Sequence, residues 1–189
     1  MSRQFIVGLI GLVLLIVLGN TCLPPSFGDE NGVVENLQVV ILVGATIISM
    51  FKIRSAEGRT RLLWIAGFLF CVLLAGRELS WGRVFFPPME TGNFPPVKAL
   101  PYGPLVYPLI GVTMLTIIGL IIRGKVVQYF RTHAMPLSIH LLLAITAIVV
   151  VDAEKFHLLP HAQGMLVEEL CEMYAYAIFA YLLYKMKAS

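Results

Sequence analysis

Charge is scarce in this 189-residue chain. Asp, Glu, Lys and Arg make up 13% of it, about half the share usual in soluble domains. The hydrophobic content is 58% and the mean hydropathy is +0.85, so a soluble globular domain and a disordered chain are both excluded. Cysteine is sparse too. Cys22, Cys71 and Cys171 are odd in number, form no close pair and lie in or beside apolar runs, which excludes a disulfide scaffold. Gly-rich phosphate loops, haem-attachment motifs and zinc-binding Cys pairs are all missing. The mild pI near 8.8 is no nucleic-acid footprint, and no nucleic-acid partner is expected. What remains is an all-α integral membrane protein. At roughly 20 apolar residues per span, its length holds about six helices and no sizeable soluble domain, so residues 1–189 read as a single transmembrane helical domain.

The apolar runs place spans at about 5–23, 33–53, 62–81, 104–122, 137–151 and 165–184. Each is near the length an α-helix needs at 1.5 Å per residue, and helices are expected because backbone groups in lipid must be bonded internally. The first run has Arg3 before it, as in a signal peptide, but 19–22 (Gly-Asn-Thr-Cys) is a poor small-residue cleavage site; a retained helix is expected. With the N-terminus inside, ten of the fourteen basic residues and only one of the eleven acids, Glu57, fall on the cytoplasmic side. Basic residues near helix ends favour the cytoplasm, so the expectation is N-in and C-in in a bacterial inner membrane. The long outer connection between the third and fourth spans, about 82–103, carries Pro87, Pro88, Pro95, Pro96 and Pro101 among aromatics. It is expected to be extended or turn-rich, lying at headgroup depth or roofing a cavity.

Ionisable residues gather at the outer ends of the spans. The third ends with Arg77, Glu78, Ser80 and Trp81, and the fifth with Asp152, Glu154, Lys155 and His157. The sixth carries Glu168, Glu169 and Glu172, and the second opens with Glu35, Asn36 and Gln38. Counting down from the outer ends puts Arg77, Glu78, Asp152 and Glu172 a turn or two below the interface, where an isolated charge is costly. On the sixth helix Glu168 and Glu172 share a face, and Glu169 with Glu172 is an i, i+3 pair. Carboxylates so close call for a proton, a cation or an Arg among them, with Arg77 the natural partner of Asp152 or Glu172. The candidate ligand- or cation-binding set is therefore Arg77, Glu78, Trp81, Asp152, Glu168, Glu169 and Glu172. A divalent transition metal would draw on Glu154, His157, Glu169 and Glu172. Glu154 and His157 form one Glu-x-x-His pair, whereas a di-metal carboxylate centre needs two; Pro160 breaks the His157/His161 spacing.

Glu78-Leu79-Ser80-Trp81-Gly82 resembles an E-[IL]-S-W-G signature that closes a transmembrane helix in functionally uncharacterised bacterial multi-pass membrane proteins. The similarity extends over about residues 29–86, including the Glu35-Asn36-Leu37-Gln38 opening of the second span. It implies that these positions form one unit and supplies no activity. Functionally, the residues fit a periplasm-facing carboxylate/His cavity that handles a cation, a proton or a polar lipid headgroup, in a binding, transport-type or accessory-subunit role. One alternative is a metal-dependent hydrolase or transferase acting on a lipid at the outer leaflet, with Glu78 as candidate general base. Another is a structural subunit whose ion pairs fix helix register among other membrane protein subunits. Membrane lipids are partners in every case.

Overall fold

The computed structural model describes residues 3–89, 93–132, 146 and 160–187. Every regular element among them is helical: α1 (Arg3–Cys22), α2 (Val33–Ser55), α3 (Gly58–Glu78), α4 (Gly103–Arg123), the short α5 (Val126–Thr132) and α6 (His161–Lys185), with 3-10 turns at Pro25–Gly28, Ser80–Phe85 and Val97–Ala99. Helices α1 to α4 are long and apolar enough to cross a membrane. Helix α6 has the length, at 25 residues, but its three acids dilute its apolar character. The fifth expected span, 137–151, lies outside the described residues except for Thr146, which is helical and buried.

Helix α2 shows how such a sequence sorts its faces. Val34, Gln38, Leu42, Ala45 and Ser49, spaced by three or four residues, are buried, whereas Val33, Leu37, Val40, Val43 and Ile47 are exposed. The polar Gln38 and Ser49 lie in the interior among apolar neighbours, and the exposed side is branched and apolar, the arrangement hydrocarbon demands.

The chain packs as two units, one from Met1–Ile41 and Ala134–Lys185, the other from Leu42–His133 and Met186–Ser189. In the first, α1 and the turn at Pro25–Gly28 pack against α6. Small residues set the approach. A Cβ on Gly19 would fall within bonding distance of the Leu170 side chain, and one on Gly28 would lie 2.6 Å from Leu166 Cα. Tyr174 Oη donates to the Gly8 carbonyl at 2.7 Å, a bond across α1 and α6. Glycine-mediated contact replaces the hydrophobic effect as the source of helix association in lipid. Leu12, Val167 and Cys171 form one core cluster, and Val34, Leu166 and Leu170 a second.

In the second unit, α3 lies along α4 and the turn at Val97–Ala99 against the start of α4. Gly124, just after α4, admits the Leu63 side chain, since a Cβ there would sit 2.5 Å from it. Lys52 Nζ reaches over the Trp64 ring, 5.6 Å from its centroid, and donates to the Met186 carbonyl at 2.6 Å. Tyr129 Oη donates to the Lys187 carbonyl at 2.6 Å. The 82–103 connection contains turns and no α-helix among its described residues, as its prolines require.

Candidate functional site

Helix α3 stops at Glu78, three residues before the sequence-based boundary near Trp81. The cause is conformational. Ser80, Trp81 and Gly82 have φ of 45°, 57° and 87°, a left-handed run that no right-handed helix can continue. Only Gly82 adopts it without steric cost. Trp81 then folds its indole back onto α3, where a Cβ on Gly76 would meet Cζ3 at 2.7 Å. Tyr102 Oη donates to the Trp81 carbonyl at 3.1 Å and lies against Gly82, closing the corner. The Glu-Leu-Ser-Trp-Gly segment is thus a helix-terminating reversal, with Gly76 and Gly82 making room for the aromatic groups.

Glu78 is the last residue of α3, and its side chain is only 4% exposed, so its charge sits buried at the negative end of the helix dipole. Arg77 offsets that cost: its Nε donates to Glu78 Oε1 at 3.0 Å, with the guanidinium half exposed. The sequence pointed to Asp152 or Glu172 as the acid for Arg77; the neighbouring residue itself supplies a carboxylate. Asp152, Glu154 and His157 lie outside the described residues, and with them the proposed Glu-x-x-His pair.

In the first unit the acids of α6 meet the opening of α2. Glu35 and Glu169 bring carboxylate oxygens within 4.8 Å of one another. Gln38, one turn after Glu35 and fully buried, donates Nε2 to the Glu169 carboxylate Oε2 at 2.7 Å and to the Glu169 backbone carbonyl at 2.9 Å. Both amide hydrogens are thereby used, which fixes the amide's orientation. The other branch of that amide, Oε1, is buried with no hydrogen-bond partner among the described residues. An orphaned buried acceptor costs about 1–3 kcal/mol, so its persistence beside an acid pair is informative. Glu35 also accepts from the Asn31 backbone N–H, which ties it to the turn before α2. Glu172 is buried, 8% exposed, and Glu168 half-buried one turn earlier on α6.

Of the sequence-predicted residues, then, the second unit pairs Arg77 with Glu78 beside Trp81, and the first gathers Glu169 with two residues outside the predicted set, Glu35 and Gln38. Their signal was present: a three-residue spacing at a helix start puts them on one face. The ligand atoms that Glu35 and Glu169 offer are all carboxylate oxygens. That set suits a hard cation such as magnesium, calcium or manganese and is a poor match to zinc, which prefers nitrogen and sulfur. No protein-family model matches the chain, and neither a curated protein nor a solved structure matches it.

Proposed function

We propose that this chain is a six-span bacterial inner-membrane protein, N-in and C-in, whose outer-side acids bind a positively charged ligand. That ligand is a hard metal cation, a proton, or the ammonium of a lipid headgroup. The protein then works as a binding, transport-type or accessory subunit. One observation supports the reading: the Glu35 and Glu169 carboxylates lie within 4.8 Å of one another, beside a buried Gln38 whose Oε1 has no hydrogen-bond partner among the described residues. Carboxylates this close repel one another, and a positive charge or a shared proton between them relieves that repulsion. A polar site near the end of a span also fits the expense of burying charge deeper in hydrocarbon.

Purified protein in detergent, titrated with manganese and followed by electron paramagnetic resonance, tests this directly. A saturable site is expected, competed by magnesium and weakened at least about tenfold by Glu35→Gln or Glu169→Gln, the loss of one charged ligand being worth at least about 1.4 kcal/mol. If manganese does not bind, infrared spectroscopy of the same variants should show a protonated carboxyl band that either substitution removes. Absence of both a saturable metal site and that band refutes the metal and proton readings, and phosphatidylethanolamine binding left unchanged by Glu35→Gln and Glu169→Gln refutes the headgroup reading. A structural role for ion pairing is favoured at one place, the Arg77–Glu78 pair, where the basic partner offsets a buried charge.

A further inference from the structure

The end of α4 carries a second feature. Helix α4 closes at Arg123, Gly124 follows, and Lys125 turns the chain with a left-handed φ of 52° into α5. The groove at this corner has a volume of about 590 Å³. Ile121, Ile122 and Val127 line it together with Gln128 and two cations, Lys125 and Arg131. Ile122 and Val127 are exposed by 69% and 63%, so apolar surface and positive charge face outward together.

Helix α5 is held in a fixed rotation that keeps this face open. Tyr129 is buried and donates to the Lys187 carbonyl, and its ring meets Phe130 edge-on at 5.8 Å. Val127 and Arg131, four residues apart, therefore share the outward side. No acid occurs anywhere between Glu90 and Asp152, so Lys125 and Arg131 have no acid close to them in sequence. A groove lined by apolar side chains and two cations matches one class of molecule.

We propose that this corner is a binding site for an anionic glycerophospholipid. The phosphate lies between Lys125 and Arg131, Gln128 is within reach of the glycerol oxygens, and an acyl chain runs along Ile121, Ile122 and Val127. Basic pockets at helix ends recognise anionic headgroups by this combination of charge and apolar wall. Neutral lipids meet the same wall without the charge. Soluble phosphates meet the charge without the wall, and they bind it weakly because the cations are exposed. The site stands whichever leaflet it faces, and the orientation proposed above puts it in the cytoplasmic one.

Native mass spectrometry of the detergent-purified full chain tests the site, with dioleoyl phosphatidylglycerol and dioleoyl phosphatidylcholine added in parallel. The variant Lys125→Asn/Arg131→Gln removes both charges, and asparagine tolerates the left-handed backbone at position 125. Wild type is expected to favour phosphatidylglycerol, and the variant to bind it about thirtyfold more weakly, two basic contacts at about 1 kcal/mol each, with phosphatidylcholine unchanged. Glycerol 3-phosphate should not displace the lipid. Unchanged helicity by circular dichroism establishes that the variant is folded. Equal affinity for the two lipids, an unaltered preference in the variant, or displacement by glycerol 3-phosphate overturns the proposal. Val127→Gln provides a second test on the apolar wall and should weaken both lipids alike; no change in either also counts against the site.

Discussion

Replacing Gly28 by alanine tests how the first unit is assembled. A Cβ at this position would lie 2.6 Å from Leu166 Cα and 2.8 Å from Leu166 N. Carbon contacts are comfortable at about 3.5–4.0 Å, so the turn and α6 must separate by roughly 1 Å. Both opposing atoms are backbone, and no side-chain rotation relieves the clash. Overpacking of this kind costs about 1–3 kcal/mol, and an unyielding backbone puts Gly28→Ala at the upper end. For a chain of this size that lowers the melting temperature by about 5–10 °C. Gly44→Ala is the control, because nothing lies within 4 Å of the methyl it adds and alanine in a helix interior gains about 0.5–1 kcal/mol. Far-UV circular dichroism in detergent is the right observable, since both tryptophans, Trp64 and Trp81, belong to the second unit and would miss an event confined to the first. Two results would refute the reasoning: Gly28→Ala melting within about 2 °C of wild type, or Gly44→Ala losing as much stability as Gly28→Ala.

Further outcomes follow from the corner after α3 and from Tyr129. Gly82→Ala forces a side chain into φ 87° and against Tyr102 Oη, so it should cost about 1–2 kcal/mol and change Trp81 fluorescence as the Tyr102 bond breaks. Ser80→Gly relieves a left-handed non-glycine residue and should stabilise by about 0.4–1 kcal/mol in the same melting assay. Burial pushes the Tyr129 phenol above its ordinary 10.0, only partly opposed by its bond to the Lys187 carbonyl. Above pH 10 the unfolded chain then releases a proton that the folded chain retains, so stability falls as pH rises through that window. Tyr129→Phe should be less stable at neutral pH, having lost the bond, and should decline less steeply above about pH 10 in an alkaline denaturation series.

The helical architecture was legible wherever the sequence supplied both an apolar run and a chemical stop. Helices α2 and α4 end within two residues of the expected positions, at basic residues that mark the edge of hydrocarbon. Helix α6 starts at His161, four residues before its apolar run, because the Pro160 carbonyl accepts from the Gln163 and Gly164 N–H groups and opens the first turn. The early stop of α3 was not legible, since serine and tryptophan carry no propensity for left-handed backbone and Gly82 alone could not reveal three such residues in a row. Helix α5 falls between two expected spans: seven residues are too few for periodicity to register. At the site, the acids of α6 were visible as an excess charge density, whereas the partnership of Glu35 and Gln38 with Glu169 depends on a tertiary approach set by glycines elsewhere. Counting depth along each helix ranks residues by height and says nothing about which neighbour they face.

The exposed flank of α4 has a mechanical consequence. Leu105, Leu109, Val112, Leu115 and Ile122 all point outward, and α3 is the long helix packed against it among the described residues. Its 21 residues span about 32 Å, close to the thickness of a bilayer's hydrocarbon. Hydrophobic mismatch adds a modest cost per Å to the packing of α4 against α3, so the thickness of the lipid biases the tilt that this packing sets. A thinner bilayer would lean α4 over and draw Tyr102, one residue ahead of it, away from the Trp81 carbonyl. The Ser80–Trp81–Gly82 corner would then act as a strain gauge, registering the thickness of the membrane through a single hydrogen bond.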